Sequence, residues 1–322
     1  MTNFQVYRKT LSFSFVRFLV DMLAFFIVAG AATAGFFMFQ KSGDVNAVIG
    51  LGVGLLIGIV LAVLINIFIT NRIKAAQIAM MTKGVVDGKL PDHTYKAGFD
   101  EIKGRFGKIT AFFAITWAIK GIFRQIGRGV NKLGTAVGGD VGNSVTSVID
   151  SAIQTLIEYL CDCCLGWILY RKNENSFKAG CEGCVIFFEH GKTLIRNIGR
   201  IFGMGFLSFA VIGGAFFGLS YFIFSNFPAM FETLSQEIIK FIEPGEDIPE
   251  IISNPMYLMI FVSAIIGIVM WSTIHSVLIR PFIFVGVLRN FMKAGIENLP
   301  KEADFDKIDK ISPKFGRLRS KI

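Results

Sequence analysis

Six long apolar runs are separated by polar segments along this chain, at about 11–39, 47–70, 109–123, 145–169, 201–224 and 256–279. Several reach the roughly 20 residues that a helix needs to cross a hydrocarbon core about 30 Å thick. The runs are continuous rather than alternating. In lipid only helices and closed barrels satisfy every backbone group, so this pattern predicts helices. The expected fold is all-α, a polytopic transmembrane helix bundle with interfacial amphipathic helices. It would occupy residues 1–299, with the third span taken as about 105–123, and a cytoplasmic polar tail over 300–322.

The third and fourth runs are less decisive than the rest. The third continues into Lys120, Arg124, Arg128 and Lys132, spaced four apart on one helical stripe. It reads either as a surface helix on anionic lipid or as a short span ending in cations. The run at 145–169 shares its fate, giving four or six crossings. Its length favours six. Residues 71–86 read as a mildly amphipathic helix that continues the second span or lies on the surface, ended by Gly88-Lys-Leu-Pro91.

Composition changes the picture little: 53% of residues are hydrophobic and 18% charged. Charge distribution says more than the net +9. Residues 71–108 carry eight Lys/Arg against four acids, and 280–322 carry ten against five. The loop 225–255 reverses this, with six acids against Lys240. The positive-inside rule then places both termini in the cytoplasm, in a plasma or inner membrane. Anionic headgroups at the cytoplasmic face are the expected lipid partners. No nucleic-acid motif is present, and a homodimer or other membrane subunits are the expected protein partners.

Gly50, Gly54 and Gly58 share one helix face, a close-packing ridge in an apolar setting. Ionisable groups inside spans are costly, so each is a candidate site. Arg17 and Asp21 lie one turn apart, as a self-paired bridge or a gating pair. Asp150, Gln154 and Glu158 form one polar stripe, facing either the bundle or a cation path. An organic cation would also want aromatic faces, for which Trp117, Tyr159, Trp271 and Tyr221 are candidates. His275 follows Trp271 by one turn, to bridge helices or relay protons. Asn66 is expected to bond between helices.

Cys161-x2-Cys164 and Cys181-x2-Cys184 have the spacing of a tetrathiolate zinc set, with Cys163 left over. The hydrophobic stretch between the pairs favours buried or lipidated thiols instead. No metalloprotease, phosphate-loop or nucleophile-elbow motif occurs, so the chain reads as a non-enzyme without a cofactor.

Several segments, in order, resemble the choline transporter-like family of solute carriers. They are Asn71–Val86, Arg124–Gly129, Val141–Tyr159, the cluster Cys161-Asp-Cys-Cys164, Asn173-Glu-Asn-Ser-Phe177 and Gly183–Arg200. Family members are longer, with more spans and a large outer loop. The resemblance implies a helical carrier for choline or ethanolamine. Glu158, Asp150 and Gln154 would line the path, Trp117, Tyr159, Trp271 and His275 would flank it, and Arg17–Asp21 would gate it. The rival expectation is a non-transporting scaffold subunit of a membrane complex.

Overall fold

A computed structural model describes residues 1–40, 44–105, 114–125, 143–195, 198–240 and 249–322. Every regular element in them is helical. Four helices are long and apolar enough to cross a membrane: Leu11–Gln40, Ile49–Val86, Phe202–Ser225 and Pro255–Glu297. The protein is thus an integral membrane helix bundle. It divides into two compact units, Met1–Gly199 with Pro281–Ile322, and Arg200–Arg280.

The first unit opens with α1 (Asn3–Lys9), whose Thr2 side chain caps the Gln5 amide while Gln5 returns a bond to Thr2. α2 (Leu11–Gln40) and α3 (Asp44–Ile65) then form an antiparallel hairpin. Glycine makes the hairpin close. A methyl group at Gly35 would collide with the Gly50 carbonyl, one at Gly54 with the Ala31 carbonyl, and one at Gly58 would lie 2.8 Å from Val28 Cα. The expected glycine ridge therefore faces α2. The remaining surface of the hairpin stays apolar and exposed, through side chains such as Phe26, Met38 and Leu56.

α3 passes through a π-turn, Asn66–Thr70, into α4 (Asn71–Val86). The sequence predicts a surface or continuing helix for α4, and the structure continues it inward. Ile73, Ala75, Ala76, Ile78, Ala79, Met80 and Met81 are all buried. Alanine and methionine suit this place, because α4 is packed by α1, α2, α5 (Thr94–Arg105) and α7 (Asn143–Tyr170). A helix α6 covers 114–125. α8 (Ser176–Ile195) and α14 (Arg280–Glu297) complete the core. Small residues allow the crossings: Gly166 meets Thr82 and Leu288, and Gly295 meets Trp167 and Ile186.

The run at 145–169 forms α7, which is not among the four helices of the described residues that are long and apolar enough to cross a membrane. Its second half packs against protein: Tyr159, Leu160, Cys163, Cys164, Trp167 and Ile168 are buried. Of the expected span at 105–123, residues 106–113 lie outside the described residues. The part within α6 buries Ile115, Ile119, Ile122 and Phe123.

The segment 300–322, expected as a polar tail, folds into α15 (Glu302–Asp309) and α16 (Pro313–Arg319), both against α8. Phe305, Ile308, Phe315 and Leu318 are buried. Arg319 holds the pair together through Glu302, Asp306 and Asp309. Ser312 caps α16 through the Phe315 amide and bonds Gln125 of α6 at 3.0 Å.

The second unit contains α9 (Ile198–Ser208), a π-turn at Phe209–Gly213 and α10 (Gly214–Ser225), which together form one long apolar helix. α11 (Pro228–Ile239) and α12 (Glu250–Ser253) follow. Phe231 of α11 is buried with Leu258 and Met259 of α13 (Pro255–Ile274). α13 starts at an Asn254 cap on the Met256 amide and ends in a third π-turn, His275–Ile279. Gly267 lets α13 approach α10 closely, since a methyl there would lie 2.8 Å from the Gly213 carbonyl oxygen.

Candidate functional site

Among the described residues three π-turns interrupt the apolar helices, and polar side chains gather beside them. A π-turn inserts one residue into a helix, widens it locally and re-aims the side chains around it, and such turns recur at functional sites. In the first unit, Thr70 closes the turn Asn66–Thr70 and donates a hydrogen bond to Asp21 Oδ1 at 3.2 Å. Asp21 Oδ2 lies 3.7 Å from Arg17 Nε, one helical turn away. The Arg17–Asp21 pair predicted from spacing is therefore present, and Thr70 joins it. Asn66, expected to bridge helices, is exposed instead.

In the second unit, Ser208 precedes one π-turn and His275 opens another. Ser208 Oγ lies 3.0 Å from His275 Nδ1 and accepts a bond from Trp271 Nε1 at 3.1 Å. The same hydroxyl donates to the Gly205 carbonyl at 2.8 Å. Ser208 has one hydrogen for two acceptors, the Gly205 carbonyl and His275 Nδ1, so the direction of its bond to His275 follows the imidazole tautomer. The Trp271 ring is held edge-on by Phe209, at a centroid distance of 5.1 Å, and lies 5.5 Å from the His275 ring. Sequence singles out Trp271 and His275, but not Ser208. A serine in an apolar run carries no local sign of a partner 67 positions away.

Gln154 is exposed and Glu158 half-buried, while the Asp150 side chain lies outside the described residues. Tyr159 is buried, with its ring 6.4 Å from that of Phe284. Trp117 points outward. An inward tyrosine and an outward tryptophan cannot close an aromatic box over one cation. Tyr221, the remaining aromatic candidate, stacks on Phe217 at 6.1 Å and packs beside Phe231 in the second unit.

The charges that matter most to the first unit were not singled out by sequence. Lys74 reaches Asp162 at 2.7 Å, joining α4 to α7. Glu182 accepts from Trp167 Nε1 and Arg171 Nε, joining α8 to α7. Arg105 donates to the Ile168 and Lys172 carbonyls at the end of α7, and Lys172 pairs with Glu101. The Lys74, Arg105 and Lys172 ties link positions far apart in sequence, which helical periodicity does not reveal.

All five cysteines are free and buried. Burial pushes the thiols of Cys161, Cys163, Cys164 and Cys181 up, and mutual proximity adds to this. Zinc needs thiolates, so this setting favours the protonated form that zinc would have to displace. Among the described residues no three His, Cys, Asp or Glu side chains converge to hold a metal ion. The Cys161, Cys164, Cys181 and Cys184 spacing instead reflects two helices packed small face to small face, with Gly183 against Cys164. No family model, curated protein or solved structure matches the chain.

Proposed function

We propose that this protein moves a small organic cation, of the choline or ethanolamine kind, across a plasma or inner membrane. The observation that carries this reading is the placement of polar clusters at π-turns in apolar helices. Arg17–Asp21–Thr70 and Ser208–Trp271–His275 occupy segments where an unpaired polar side chain is costly, and paired polar groups in such segments mark solute pathways. Asp21 supplies a negative charge in the first unit, and Trp271 a π-face in the second, and each by itself attracts an alkylammonium group. The separation of 3.7 Å between Arg17 and Asp21 is longer than a tight charge-assisted bond, which suits a gate that opens.

With four spans, the charge rule would put residues 1–10, 71–132, 171–200 and 280–322 on the cytoplasmic side and the acidic loop 225–255 on the other. A six-span topology would export Lys120, Arg124, Arg128 and Lys132 against the charge rule. The rival reading is a scaffold subunit. It draws on the internal ion pairs of the first unit, which hold helices together rather than line a passage.

Uptake of labelled choline by vesicles containing the purified protein separates the two. Transport predicts uptake above empty vesicles, an at least tenfold loss in Asp21→Asn (about 1.4 kcal/mol) and little change in Glu158→Gln. Folded protein that gives no uptake, yet copurifies with other subunits, establishes the scaffold. Loss in Glu158→Gln with Asp21→Asn active would return the path to α7.

A further inference from the structure

Helix α6 (114–125) presents two unlike faces. Ile115, Ile119, Ile122 and Phe123 are buried against α8, where the Phe123 and Phe187 rings lie 5.2 Å apart. The opposite face carries Ala114, Trp117, Gly121 and Arg124, with Lys120 at its border. Trp117 is 79% exposed, more than any other large apolar side chain described. Only residues inside the long apolar spans come near it, Met38 at 76% and Phe206 at 75%. An indole this open in water would be an unusual cost for a side chain of such area.

Cations border it on its own helix and on α16. Lys314 of α16 reaches over Gly121, its Nζ 3.5 Å from where a β-carbon would stand. Neither 114–125 nor Pro313–Arg319 contains an aspartate or glutamate. A tryptophan flanked by long cationic side chains, with small residues between, is the pattern of a helix lying in the headgroup region. There the ring enters the interface and the cations reach the phosphates.

We propose that this face of α6, with Trp117, Lys120 and Arg124 and with Lys314 beside it, seats on the anionic surface of the bilayer that the protein itself spans. The partner is a lipid headgroup layer bearing net negative charge. The site is separate from the π-turn clusters, and it stands or falls independently of what solute moves.

Tryptophan quenching in nanodiscs tests this. The protein is reconstituted with lipids brominated near the headgroup or near the chain end, in phosphatidylcholine alone or with phosphatidylglycerol. The Trp117 contribution is the difference between wild type and Trp117→Phe, a substitution on an exposed site that leaves the core intact. Shallow quenching is expected, rising about twofold or more with phosphatidylglycerol and lost in Lys120→Glu/Arg124→Glu. Equal quenching in wild type and Trp117→Phe would overturn the proposal, since Trp117 would then face water or protein. Strong quenching by chain-end bromine in both lipid mixtures would overturn it too, by showing that α6 crosses the membrane.

Discussion

Glu182 is only 2% exposed, yet it accepts bonds from Trp167 at 2.9 Å and from Arg171 at 3.1 Å. Removing one partner of a buried ion pair strands the other. Glu182→Ala should therefore cost about 3 kcal/mol of stability, at the lower end for such pairs because Arg171 keeps Glu174. Glu237→Ala, which breaks the exposed pair with Lys240, should cost under about 0.5 kcal/mol. Thermal midpoints in detergent compare the two, and equal midpoints would remove Glu182 from the folding argument. The buried thiols give a second prediction. Alkylation needs the thiolate, so all five cysteines should resist maleimide in the native state and react on unfolding. The pH dependence has a definite sign. Above the ordinary thiol value of about 8.5 the unfolded chain releases protons that the folded chain keeps, because folding raises the thiol pKa. Stability is therefore full below that value and declines as pH climbs from it toward the raised folded values. A thermal midpoint that held level between about pH 8 and 10, or that fell as steeply in Cys163→Ala, would contradict this.

The α2–α3 hairpin ties sequence to packing through single glycines. Gly54 abuts the Ala31 backbone, so Gly54→Val must push the helices apart, at about 1–3 kcal/mol. Gly52, two residues away, has open space around it. Gly52→Ala should instead stabilise α3 by up to about 1 kcal/mol through helix propensity. Opposite signs from neighbouring glycines in one thermal assay would establish the ridge, whereas equal effects would mean that the two helices do not touch there. The ridge was legible in the sequence because its spacing is local and its chemistry leaves few uses. α7 was not. Apolar residues on nearly every side, broken by Asp150, Glu158 and Asp162, describe a membrane span with a polar stripe as well as a helix buried in protein. Its partners α4, α8 and α14 decide between them, and no local pattern names those partners. The helices of the tail were hidden for the opposite reason. Its charges suggested solvent, but Arg319 and Lys307 pair with neighbouring acids, freeing Phe305 and Phe315 to pack underneath. Lys307 is pushed up to about 12 by Asp304 and Glu189, while the same lysine and the Lys301 amide hold Asp304 near 2. Of the candidate clusters, Arg17–Asp21 and Trp271–His275 were readable as one-turn spacings. Thr70 and Ser208 were not, because their partners lie 49 and 67 positions away.

At the scale of the whole molecule, the number of crossings decides which segments share a compartment. Four spans put residue 136 and residue 230 on opposite sides of the membrane. Six put them on the same side, because two further helices would carry the glycine-rich segment across. Charge favours four, since the cations at 120, 124, 128 and 132 then share a side with the basic segments 71–108 and 280–322. The hydropathy of the described helices favours four as well, since α7 is not among those long and apolar enough to cross. The native cysteines make this directly measurable. They are buried, so a membrane-impermeant maleimide should ignore them and report only an introduced thiol. In sealed vesicles of one orientation, Ala136→Cys and Met230→Cys should label from opposite sides. Met230 is half exposed on α11, so its replacement disturbs no core contact. Labelling of both from one side would restore six crossings. α7 would then have to pass through the bilayer with Asp150, Glu158 and Asp162 aboard, and those three carboxylates would become the strongest argument for a conduit through the protein.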